Sequence, residues 1–259
     1  MTTRSPPDPD PYALPSARYR RDGYVVLHEF ASAEQCNLLA DLARRDLEPL
    51  VGPAEFEADV GYPGAPRSRN DAGGTTPRRL LHAYSRDAAF RQFATRSDLG
   101  AVLRQLLGNE PCLSQCHHNC VMTKHPGYSS ATLWHQDVRY WSFDRPDLVS
   151  LWLALGTETA ANGALMVIPG SHRLDLDRGR LDRDLFLRPD LAENRALIEQ
   201  AITLELAAGD VLLFSSRLFH AAGRNDTDAV KLSLVFTYHA ADNHPIPGTR
   251  SAQYPSIML

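Results

Sequence analysis

No run of apolar residues in this chain approaches the roughly 20 needed to cross a bilayer as a helix. Nor is there a surplus of basic side chains. The 27 Lys and Arg stand against 31 Asp and Glu, a formal net charge of -4, which argues against a general affinity for nucleic acid or anionic membrane while leaving room for a local basic pocket. Cysteine is scarce. Cys36, Cys112, Cys116 and Cys120 are too few for a secreted disulfide scaffold, which is shorter and denser in cysteine. Met1 to Pro15 lacks the apolar core of a secretion signal; it is rich in Pro and Asp and reads as a mobile tail, residues 1–15. The glycines at Gly61, Gly64, Gly73 and Gly74 are not followed by the Lys-Ser/Thr pair of a phosphate loop. There is no internal repeat. These absences leave a soluble, cytoplasmic protein of ordinary globular composition, with 43% hydrophobic and 22% charged residues. Its 259 residues suit a single domain over residues 16–259.

What is present falls into helices first and strands later. Gly23 to Leu27 reads as a short strand after a turn glycine. Ser32 with Gln35 gives a capping-box start for a helix striped by Leu39, Leu42 and Ala43. The stretch 61–79 is glycine, proline and arginine with almost no core residues, as expected of a lid or entrance loop. Leu99, Val102, Leu103, Leu106 and Leu107 mark a second amphipathic helix, stopped by Gly108-Asn109. From Pro111 onward short strands dominate, among them Val149–Leu155, Ala164–Ile168 after an Asn162-Gly163 hairpin turn, Val211–Phe214, and Lys231–Tyr238, with a polar, partly helical insertion near 181–200. Helices followed by many short strands predict a mainly β protein, a sandwich or barrel with helices packed outside it.

The chemistry centres on Trp134-His135-Gln136-Asp137. Side chains alternate along a strand, so His135 and Asp137 point the same way and can hold a divalent metal together. The best third ligand is His220, which follows a turn and a buried strand. Two histidines and one carboxylate on one face of an ion leave the opposite positions open, the arrangement of iron(II) oxygenases. Cys112, Cys116 and Cys120 recur every four residues around His117 and His118, but a structural zinc site needs a second ligand pair elsewhere. Three thiols on one face of a strand explain the spacing better.

The succession WHQD, LWLAL, NGALMVIPGSH and GDVLLFSSRLFH, after an RRDGYVV start, resembles the phytanoyl-CoA dioxygenase family from about Tyr19 to Tyr238. The resemblance implies a double-stranded β-helix, a jelly-roll barrel with iron(II) held by His135, Asp137 and His220, and 2-oxoglutarate and O2 as co-reactants. It implies hydroxylation of a small molecule. Halogenating relatives carry a small residue at the position of Asp137. For the distal carboxylate of 2-oxoglutarate the family places an arginine eleven residues after the second histidine; Lys231 stands there, with Arg224 as a substitute. Trp152 matches a tryptophan near the cosubstrate, and Lys124 and Asn119 lie on the strand leading to the metal pair, where pocket-facing polar residues are expected. Arg139, Tyr140, Trp141, Arg78 and Arg79 are candidates for the substrate. A zinc or manganese hydrolase or isomerase with the same ligands, or a binding protein on the same barrel, are the competing readings. The substrate and the oligomeric state are not legible in the sequence.

Overall fold

A computed structural model describes residues 13–259. Six helices, α1 (Ala13–Asp22), α2 (Ala33–Leu47), α3 (Ala83–Arg86), α4 (Ala88–Ala94), α5 (Ser97–Leu107) and α6 (Ala192–Ile198), accompany twelve strands. The strands are β1 (Tyr24–Leu27), β2 (Ala54–Phe56), β3 (Pro77–Leu81), β4 (Pro111–Lys124), β5 (Thr132–His135), β6 (Leu148–Ala154), β7 (Leu165–Val167), β8 (Ile202–Thr203), β9 (Val211–Ser215), β10 (His220–Ala222), β11 (Lys231–Ala240) and β12 (Ile257–Met258). They form two antiparallel sheets. The larger runs β1-β9-β6-β11-β4-β3-β2, with β12 also on β4; the smaller runs β5-β10-β7-β8. This is the expected jelly roll with helices outside it.

Two apolar layers hold it together, and strand alternation decides which residue joins which. In β6, Val149, Leu151 and Leu153 face outward with Leu39, Phe90, Phe93, Leu99 and Leu103 of the helices. Trp152 and Ala154 face inward with Leu165, Val167, Leu212 and Phe214, between the sheets. Covered on both faces, β6 is buried at every residue, which is why its sequence reads as an unbroken apolar run.

Four local expectations are corrected. The tail was expected to extend to residue 15, but α1 begins at Ala13, and Ser16 is buried with its hydroxyl on Gln105 Oε1 at 3.1 Å. Residues 1–12 of that expected tail lie outside the described residues. At α2, Ser32 Oγ accepts from Gln35 N at 3.2 Å, but the return bond of a capping box is replaced by Gln35 Oε1 accepting from Arg96. Asn162-Gly163 does not close a hairpin: β6 and β7 lie in different sheets, and a 3-10 turn over Ala160–Asn162 carries the chain from one to the other. The loop expected over 61–79 ends earlier, because Pro77–Leu81 is strand β3.

Candidate metal centre

His135 ends β5 and His220 opens β10, and the two are directly paired across the smaller sheet. Register therefore sets the imidazoles side by side, with ring centroids 4.2 Å apart. Asp137 begins the 3-10 turn after β5. Donor atoms of the three lie within 4.8 Å of one another, and all three residues are buried. The histidine tautomers are fixed from behind. His135 Nδ1 donates to Leu133 O at 2.8 Å and His220 Nδ1 to Leu218 O at 3.0 Å, so each Nε2 lone pair faces the carboxylate. Burial pushes both histidines below their ordinary range and keeps them neutral, as metal ligands must be. Their approaches to Asp137 Oδ1, 3.8 Å and 3.6 Å, are accordingly contacts of neutral rings with a carboxylate rather than ion pairs.

A fourth side chain belongs to this constellation and was missed from the sequence. His118 Nε2 donates to Asp137 Oδ1 at 3.0 Å, while Ser150 Oγ donates to Oδ2 at 2.9 Å. Burial alone would raise the Asp137 pKa; the charge and hydrogen bond of His118 overcome it and hold the carboxyl well below its usual range. His118 shows the converse. Burial disfavours its charge, but Asp137 outweighs that and pushes it up to about 9.

The reason His118 escaped notice lies in β4. Its pairing with β11 jumps from Asn119↔Phe236 to Ser114↔Thr237, leaving Gln115 to His118 as an insertion. All four inserted residues line the cavity, as bulged segments beside active sites commonly do. The even alternation assumed for the three cysteines thus breaks at Cys116, whose sulfur accepts from Tyr254 N. All four cysteines are free and buried. His118→Ala is expected to weaken divalent-metal binding roughly 10–100-fold, as loss of an outer partner usually does; a Co(II) titration of the two proteins reads it, and equal affinities would remove His118 from the site.

The triad opens into a cavity of about 1180 Å³. Trp152, Lys124, Arg78, Arg79, Arg139, Tyr140 and Trp141 all line it, as do Gly61, Tyr62 and Pro63 of the expected entrance loop. Lys124 reaches in from β4 and donates to Ser130 O at 2.9 Å and Gly223 O at 2.6 Å. Gly163, at φ +78°, makes room for it: a Cβ there would come within 2.8 Å of Lys124 Cδ. Arg78 is almost wholly buried. It spans from β3 to Ser130 Oγ at 2.9 Å and Thr132 Oγ1 at 3.1 Å, tying down the strand that ends in His135.

Three cosubstrate expectations change. Lys231 does not line the cavity. Its Nζ donates to Glu158 Oε2 at 2.8 Å, and Glu158 Oε1 accepts from Ser233 Oγ at 2.6 Å and Trp152 Nε1 at 2.9 Å. The lysine's charge is thereby taken by a fully buried carboxylate that no sequence pattern marks. Arg224 is turned away, donating to Ser129 O and Gly127 O at 3.2 Å each. Asn119 touches the cavity, but it stands five residues from Lys124 and so on the other face of β4, where Oδ1 accepts from Tyr84 N at 2.8 Å.

Two neutral imidazoles and one carboxylate converging at the mouth of a jelly roll define a mononuclear 2-His-1-carboxylate metalloprotein. The chain belongs to the phytanoyl-CoA dioxygenase family, whose profile matches residues 19–233. It is 28% identical over 248 residues to an ectoine dioxygenase of Sphingopyxis alaskensis, covering 89% of this chain and 76% of that protein. It is 23% identical over 230 residues to phytanoyl-CoA dioxygenase 1 of Oryza sativa subsp. japonica, covering 79% and 80%. Among solved structures, EctD from S. alaskensis with 2-oxoglutarate and 5-hydroxyectoine superposes with a TM-score of 0.74 at 23% identity, over 94% of this chain and 81% of that one. The epimerase SnoN, in complex with Fe3+, alpha ketoglutarate and nogalamycin RO, superposes with a TM-score of 0.72 at 24% identity, over 91% and 86%. These structures share the fold.

Proposed function

We propose that the protein is an iron(II)- and 2-oxoglutarate-dependent dioxygenase that hydroxylates a small molecule. The observation that carries this is the set His135, Asp137 and His220, neutral, anionic and neutral, gathered on one side of a cavity with space opposite. The donor set fits ferrous iron: two imidazole nitrogens and one carboxylate oxygen would hold it from one side and leave room for co-reactants. Iron(II) with 2-oxoglutarate supplies the oxygen activation. The chain's own part is to fix the ligands through Leu133, Leu218, His118 and Ser150, to keep water from the reacting centre, and to hold the substrate over it. Since the carboxylate of Asp137 fills the position that a halide would need, hydroxylation is favoured over halogenation. Four free, buried thiols suit a reducing, cytoplasmic setting. Succinate formation that requires oxygen, 2-oxoglutarate and added iron(II) tests the assignment. Product formation independent of oxygen would instead favour a hydrolase or isomerase.

For the distal carboxylate of 2-oxoglutarate we assign Lys124 in place of Lys231. Lys124 has only carbonyl partners and faces the cavity, whereas Lys231 is closed against Glu158. Burial, with Arg78 and Lys231 nearby, brings the Lys124 ammonium down to about 7. Its charged form, the one that binds an oxyanion, is therefore populated below that pH and lost above it. The Kd for 2-oxoglutarate is expected to rise between about pH 6.5 and about pH 8.5 as this ammonium deprotonates. Lys124→Met should weaken binding about tenfold or more near neutrality and flatten that dependence, since a hydrogen bond to a charged group contributes about 1.5–3 kcal/mol. Isothermal titration under anaerobic conditions reads both effects; an unchanged Kd in the variant would return the role to another residue.

A further inference from the structure

The cavity carries more unspent positive charge than its co-reactants require. Six of its lining side chains are Lys or Arg and four are Asp or Glu, in a chain whose net charge is -4. The carboxylates are also the more fully engaged. Asp137 belongs to the metal centre. Asp182 accepts from Asp184 N and Phe186 N at 2.9 Å, Asp184 faces Arg183 at 3.2 Å, and Glu55 is shared between Arg78 at 3.6 Å and Arg79 at 3.4 Å.

Arg79 stands out among the cations. It projects from β3, paired across the sheet with Glu55 on one side and Met122 on the other. Only its Nε approaches Glu55; among the described residues no hydrogen bond reaches either terminal nitrogen. Burial disfavours its charge, but Glu55 and the more distant Asp137 more than offset that, so the guanidinium stays charged beside the metal centre. A planar pair of free N–H donors on a partly buried side chain is a ready seat for an oxyanion. The same cavity has an aromatic wall. Arg139 lies 3.7 Å over the Phe186 ring, and Tyr62 meets Phe186 edge-on at 5.7 Å. Arg139 itself is occupied by Asp184 O and by Tyr140, which leaves it part of the wall, whereas the terminal nitrogens of Arg79 have no such partner among the described residues.

We propose that the substrate carries an oxyanion, a carboxylate or phosphate ester, that docks on the terminal nitrogens of Arg79, with a ring-containing body laid against the Tyr62–Phe186–Arg139 wall. The inference rests on the dioxygenase reading, because 2-oxoglutarate is already accounted for by the metal and Lys124. It is tested on the anaerobic iron(II)·2-oxoglutarate protein, following the fluorescence of the cavity tryptophans Trp141 and Trp152. The probes are 3-phenylpropanoate against 3-phenylpropanamide, and phenyl phosphate against phenol. At least one of the two anions should bind about tenfold tighter than its neutral partner, the scale of one charge-assisted contact. Which anion is preferred separates carboxylate from phosphate. In Arg79→Gln the preference should vanish, in Arg79→Lys it should persist in part, and in both the Kd for 2-oxoglutarate and the Tm should hold. Equal binding of anion and neutral partner in both pairs, no binding of any probe, or a preference that survives Arg79→Gln overturns the inference. So does a raised 2-oxoglutarate Kd with unchanged probe binding, which would make Arg79 a cosubstrate residue. Failure of the dioxygenase reading shows separately, as no 2-oxoglutarate complex in the wild-type protein, and removes the inference with it.

Discussion

Asp137→Ala and His135→Ala are each expected to abolish stoichiometric iron(II) binding and to lower oxygen-dependent succinate formation by more than about a thousandfold, beyond the roughly 10–100-fold typical of outer-shell partners. The barrel should survive. Asp137 is held by His118 and Ser150 at the cavity wall rather than within either apolar layer, so its removal costs two hydrogen bonds to a charged group, each about 1.5–3 kcal/mol, and leaves the packing intact. Circular dichroism and a thermal melt check the fold, and a metal titration checks the site. Metal affinity in Asp137→Ala equal to that of the wild type would refute the triad.

The second large effect concerns stability. Lys231→Ala is expected to cost about 3–5 kcal/mol, because it strands the fully buried Glu158 carboxylate without its cation. Pairing Lys231→Met with Glu158→Gln should recover most of that loss. The glutamine keeps an acceptor for Trp152 Nε1 and Ser233 Oγ, and no net charge remains buried. Urea unfolding of Lys231→Met, Glu158→Gln and the double variant gives the coupling directly. A double variant no more stable than Lys231→Ala would show that the pair is not the source of the cost.

Those two outcomes mark the divide between what the sequence conveyed and what it could not. The triad was legible because its geometry follows from local rules. Alternation puts His135 and Asp137 on one side, and a buried strand followed by a turn delivers His220. The apolar runs of β6 and β9 announced strands covered on both faces. Glu158 was not legible: an acid two residues beyond a strand and a glycine has the look of a solvated turn, and only the approach of β11 from the far end of the chain closes it in. His118 was hidden for another reason. The period of four in its neighbours suggested uninterrupted alternation, and the four-residue insertion in β4 depends on pairing with β11 rather than on any residue within it. Lys231 and Arg224 were misplaced because position along the chain says which strand bears a cation but not which carboxylate or carbonyl meets it first.

The central claim is that His135, Asp137 and His220 leave enough of a ferrous ion open for 2-oxoglutarate to chelate it. Anaerobic addition of iron(II) to the protein with saturating 2-oxoglutarate tests it through the visible charge-transfer band of that chelate. The account predicts a band that saturates at one iron per chain, requires 2-oxoglutarate, and is lost in Asp137→Ala. A wild-type protein that binds iron without developing the band, or an Asp137→Ala protein that develops it in full, would contradict it.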